Sequence, residues 1–115
     1  MFVEIFNISK NKKICNVKEA KSFFSRAMGL MFRRKLKKEE GLLIELSLGK
    51  SIHSFFMRFP IDLIFLDENF RVVELTTLNP WRFYIPKKKV KWVLEVNEGV
   101  IKEKNIEIGD RLCFR

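Results

Sequence analysis

The sequence has one histidine, His53, and two cysteines, Cys15 and Cys113. Neither cysteine sits in a CxxC pair or a Cys/His cluster, so no zinc site, and no metal of any kind, is expected. A Cys–His nucleophilic pair would need one of these distant thiols to reach His53, and nothing in the spacing suggests it. GxSxG is absent, which removes the nucleophile elbow of the α/β hydrolases. The five glycines form no phosphate-cradling loop, so no nucleotide or other cofactor is expected. No stretch approaches the ~20 apolar residues of a membrane span. MFVEIFNISK lacks a basic region leading into an apolar one, so no signal peptide and a cytoplasmic location are expected. In a reducing cytosol the two thiols are expected to stay free.

What is plentiful is apolar and basic. Hydrophobic residues make up 47% of 115, and 12 are phenylalanine, which excludes disorder and predicts one domain over 1–115. The net charge of +9 has an address. RRKLKK (33–38) carries five positive charges and PKKKVK (86–91) four; the other basic residues balance the acids. Arg33, Arg34, Lys35, Lys37 and Lys38, with Lys87, Lys88, Lys89 and Lys91, are candidate polyanion-binding residues. The abundant lysine and glutamate equally suit a solvated surface, as in proteins that work hot.

FVEIFNI (2–8) and ICNV (14–17) predict a hairpin. KEAKSFFSRAMGLMF places Ala20, Phe23, Phe24, Ala27 and Met28 at helical spacing, predicting one short helix near 19–28 that ends at Gly29. GLLIEL (41–46), SIHSFFM (51–57), IDLIFLD (61–67), RVVELTTL (71–78), VKWVLEV (90–96) and LCF (112–114) are strand-like. Asp67-Glu68-Asn69 is a turn between two of them, and NPWRFYIPKKK (79–89) a surface loop. The fold class is mainly β: a compact sandwich or barrel-like domain of short antiparallel strands.

Polar residues stand out against this apolar background. IDLIFL is apolar on both faces except for Asp62, so the strand reads as buried on both sides and its carboxylate needs partners. Those partners are either backbone N–H groups at the Phe59-Pro60 corner, the guanidinium of Arg26 or Arg58, or a ligand. His53 shares its strand face with Phe55 and Met57 and reads as a core histidine or as a pocket group. Glu95 is a further acid in an apolar strand.

RAMGLM (26–31), GLLI, HSFFMRFPIDLIFLDENFRVVEL (53–75), VLEVNEG (93–99) and IEIGD (106–110), in this order and spacing, resemble the domain-of-unknown-function family 192, also called uncharacterised protein family 0127. The resemblance covers nearly the whole chain. It implies a compact mainly-β domain with a short helix, and no activity. It maps recurring polar positions to Arg26, His53, Asp62, Glu95 and Asp110, with Asp62 less replaceable than His53.

Three functions follow in order of expectation. The first is a module that binds a small molecule in an aromatic-lined hollow at the HSFFMRFPID corner, through Arg26, His53, Asp62 and Glu95. The loop NPWRFYIP would rim that hollow. The second is nucleic-acid or other polyanion binding through 33–38 and 86–91, with Trp81, Tyr84 or Trp92 as stacking platforms. The third is acid–base catalysis by Asp62 with His53.

Overall fold

The computed structural model describes residues 2–18, 39–46, 52–53 and 59–115. The short helix expected near 19–28, with Arg26, lies outside these residues, as does the basic cluster 33–38.

Strands β1 (Phe2–Asn7), β2 (Lys12–Lys18), β3 (Glu40–Glu45), β5 (Ile61–Leu66), β6 (Val72–Leu78), β8 (Trp92–Asn97) and β9 (Leu112–Phe114) form one sheet in the order β6-β5-β8-β3-β2-β1-β9. A separate two-stranded ribbon pairs β4 (Ile52–His53) with β7 (Phe83–Tyr84). A four-residue helix, α1 (Val100–Glu103), follows β8.

The outer strands of the sheet meet. Arg71 bridges Arg111, Val72 N–H donates to the Asp110 carbonyl at 2.8 Å, and Leu112 N–H donates to that of Phe70 at 2.9 Å. The sheet therefore curls into a barrel, which leaves its edges little exposed. The barrel-like mainly-β expectation is met. All-antiparallel pairing is not: β2 and β3 run parallel, with Asn16 opposite Glu40 and Val17 opposite Gly41. Parallel neighbours need a crossover of a dozen or more residues. The chain between Lys18 and Glu40 is long enough for one.

Strand alternation sorts the core into two. Ile5, Ile14, Val17, Ile64, Leu66, Leu94 and Val96 pack inside the barrel. Ile61, Leu63, Phe65, Leu78 and Val93 pack on the outer face, with Leu42, Ile44, Phe59 and Tyr84 against them. Every residue of β5 is buried, as its two-sided apolar pattern predicts. Gly41 lets β2 and β3 approach, because a Cβ there would lie 2.8 Å from Cys15 Sγ.

Both cysteines are free. Cys15 sits opposite Ile5 and Cys113 opposite Phe6, so they flank β1 on opposite faces of the sheet. Burial pushes the Cys15 thiol up to about 12, which keeps it protonated and inert.

The expected turn after β5 is present. Asp67 Oδ1 accepts from the N–H groups of Asn69 at 2.8 Å and Arg71 at 3.0 Å, closing the link to β6.

Candidate functional site

Asp62 and Glu95 lie on neighbouring central strands but not on one face. Asp62 pairs with Val96, whereas Glu95 pairs with Leu63 on one side and Leu42 on the other. Asp62 therefore points into the barrel with Val96, and Glu95 points outward with Leu63 and Val93. The expectation that both carboxylates converge on one hollow is corrected by this register.

Asp62 is 2% exposed and both of its oxygens are occupied. Oδ1 accepts from the Thr77 hydroxyl at 2.7 Å. Oδ2 accepts from the backbone N–H groups of Gly99 and Ile101, each at 3.0 Å. Gly99 has φ 97°, the left-handed region where glycine suffers no Cβ clash. Asp62 thus fastens the turn between β8 and α1 across the barrel mouth. Of the sequence-level alternatives, fastening a turn is right in kind, but the turn is the one after β8 rather than the Phe59-Pro60 corner. An open cavity of ≈ 360 Å³ adjoins this mouth, lined in part by Asp62, Thr77, Gly99 and Lys102.

Glu95 has the opposite circumstances. It is 4% exposed, and Oε2 has no hydrogen-bond partner among the described residues. Burial alone pushes its carboxyl up to about 8. A neutral carboxylic acid in an apolar face is a costly group to keep without a partner.

His53 is placed by its backbone, which pairs with Phe83 across the β4–β7 ribbon. The neighbouring Tyr84 stacks on Phe65 with ring centroids 5.6 Å apart, so the ribbon lies on the outer face, the Glu95 side of the sheet. Asp62 is across the sheet from this ribbon.

Two buried acids escaped the sequence reading or its weighting. Glu74 accepts from the Tyr84 hydroxyl and from the N–H groups of Lys87 and Lys88 at 2.9 and 3.1 Å. The bond to Glu74 raises the Tyr84 hydroxyl above its ordinary value. Nothing in RVVELTTL announces this, because the donors come from the segment after β6. Asp110 accepts from Asn7 Nδ2 at 2.9 Å, Lys10 Nζ at 3.1 Å and Glu107 N–H at 2.9 Å. Burial works to raise its pKa, but these donors outweigh burial and leave it lowered. Asp110 therefore ties the β1–β2 turn to the segment before β9.

The basic residues 87–89 and 91 are exposed. Among the expected stacking platforms, Tyr84 stacks on Phe65 and Trp92 lies edge-on to Phe70 at 5.6 Å. Trp81 is 56% exposed. Among the described residues no group of three metal-ligating side chains occurs, and no helix is long and apolar enough to cross a membrane.

Comparison with known proteins agrees with this architecture. The model of family DUF192, described as "Uncharacterized ACR, COG1430", matches residues 5–114. The UPF0127 protein of Pyrococcus furiosus is 43% identical over 114 residues, covering 94% of this chain and 95% of the relative. That of Pyrococcus horikoshii is 44% identical over 110 residues, covering 94% and 96%. A crystal structure from Sinorhizobium meliloti 1021, of a protein described as a "putative transcription regulator", superposes with TM-score 0.80 at 23% identity, covering 98% of this chain and 92% of that one. A Novosphingobium aromaticivorans protein of unknown function gives TM-score 0.77 at 23% identity, covering 98% and 84%. At that identity the likeness is one of fold.

Proposed function

Because the chain belongs to the DUF192 (UPF0127) family, which is described only as uncharacterised, we propose from its own geometry that it is a binding module for a small organic cation, recognised by Glu95. The observation that carries this reading is the buried Glu95 carboxyl with Oε2 unpartnered among the described residues. Folds tolerate such a group where function needs it. An ammonium, amidinium or guanidinium head would supply the donors Oε2 lacks and favour the ionised acid. The aliphatic and aromatic face around it, with Leu42, Leu63, Phe65 and Tyr84, suits the ligand's apolar body. The His53 ribbon flanks the same face.

The test is a thermal-shift panel of amines, amidines and guanidines against the parent and Glu95→Gln at pH 8. At least one compound should raise the parent's melting midpoint and leave that of the variant unmoved. No shift in the parent, or equal shifts in both proteins, contradicts the proposal.

Acid–base catalysis by Asp62 gains no support from a carboxylate that already accepts three bonds. Polyanion binding is a second reading. It is favoured by the exposed segment 79–91, which holds five basic residues and no acid, and it is independent of Glu95.

A further inference from the structure

Six large apolar side chains are more than half exposed among the described residues, and three of them, Trp81, Phe83 and Ile85, fall at alternate positions in one short stretch. They are 56%, 63% and 61% exposed. Alternation along the extended part projects Phe83 and Ile85 to one side, and Trp81 stands in the turn just before it. The residue between the last two, Tyr84, turns the other way, where its ring lies on Phe65 and its hydroxyl donates to Glu74. Exposed aromatics in a row are uncommon on a surface without a partner.

Basic charge follows on the same segment. The Glu74 carboxylate accepts the N–H groups of Lys87 and Lys88, so the backbone beneath these two lysines is anchored while their side chains stay in water. Lys89 and Lys91 line a cavity together with the acids Glu45, Asp67 and Glu68. Trp81 is held at φ 62°, a left-handed conformation that is unfavourable for a bulky side chain. Strain of this kind concentrates at functional segments.

Resting on the polyanion reading of segment 79–91, we propose that residues 81–88 form a surface for single-stranded nucleic acid, with bases stacking on Trp81 and Phe83 and phosphates paired by Lys87 and Lys88. Sequence-tolerant single-strand binding needs both components, stacking faces and a cationic track. A duplex is disfavoured because stacking on Trp81 and Phe83 needs splayed bases, and a duplex keeps its bases paired and stacked on one another. An anionic membrane also attracts aromatic and basic side chains, but the usual element that lies on one is an amphipathic helix. This one is extended and paired with β4 through Phe83 and Tyr84.

The experiment is fluorescence anisotropy with a labelled oligo-dT of roughly 12 nucleotides, within the span one small β domain covers. The parent should bind, with affinity falling as salt rises. Trp81→Ala with Phe83→Ala should weaken binding about tenfold or more, the usual effect of losing stacked bases. Lys87→Ala with Lys88→Ala should flatten the log-affinity versus log-salt slope by roughly 1.4, at about 0.7 per cation on a single strand. All four side chains are exposed, and circular dichroism with a thermal melt checks that each variant is folded at the temperature of the binding assay. Absence of oligonucleotide binding overturns the proposal. So does binding that both double variants retain with unchanged affinity and salt slope. Co-sedimentation with phosphatidylglycerol vesicles but no oligonucleotide binding also overturns it and assigns the segment to a lipid surface.

Discussion

Glu95→Gln removes a component of the pH dependence of stability that the parent retains. In the unfolded chain the Glu95 carboxyl releases its proton near the ordinary value of 4.5, and in the folded protein burial holds the proton to about 8. Between those values the folded state binds a proton that the unfolded state has lost. Stability therefore falls as pH rises through this window and levels off above it. The slope approaches about 1.4 kcal/mol per pH unit, which sets an upper limit on the order of 5 kcal/mol for the whole window. Glutamine keeps the shape and stays neutral throughout. Guanidinium unfolding at pH 4 should find parent and variant within about 1 kcal/mol, since both then bury a neutral polar group. At pH 8.5 the variant should be the more stable by several kcal/mol. Acids such as Asp110, with a lowered pKa, stabilise the fold as pH rises and cancel in the comparison, because both proteins keep them.

Asp62→Ala should be the most damaging single substitution at a polar residue of the barrel mouth. It deletes the acceptor of three bonds: the Thr77 hydroxyl and the Gly99 and Ile101 amides. Each buried donor left unpaired costs about 1–3 kcal/mol, and water entering the mouth recovers part of that. The expected loss is about 3–5 kcal/mol by urea unfolding. Asp62→Asn should lose about half as much. Its amide oxygen can still accept from the two backbone N–H groups while its NH2 meets the Thr77 hydroxyl, but the charge that strengthens these bonds is gone. A loss below 1 kcal/mol for the alanine variant would show that the turn after β8 holds without Asp62.

These two acids also mark how far the sequence could be read. IDLIFL declares itself buried on both sides, and β5 is. Asp67 declares the turn that follows it. The separation of Asp62 from Glu95 is different. It depends on Asp62 standing opposite Val96, and a slip of one residue would put both acids on the same face. Register between strands three elements apart is decided by the assembled sheet, so the pattern of either strand alone is silent on it. The parallel β2–β3 pair was hidden for a related reason: local patterns reveal strands but not the direction of a distant neighbour. Glu74 reads as a solvent-facing acid in an alternating strand until Tyr84, Lys87 and Lys88 fold over it. Asp110 was legible through IEIGD as a recurring position, while its partners Asn7 and Lys10 lie at the far end of the chain.

The most direct measurement is the carbon-13 NMR titration of the Glu95 side-chain carboxyl in the ligand-free protein. The account predicts a midpoint at about 8, the signature of a buried carboxyl held neutral by desolvation. A midpoint at or below the ordinary 4.5 would mean an internal cation already satisfies Glu95, and would contradict its assignment as the recognising group.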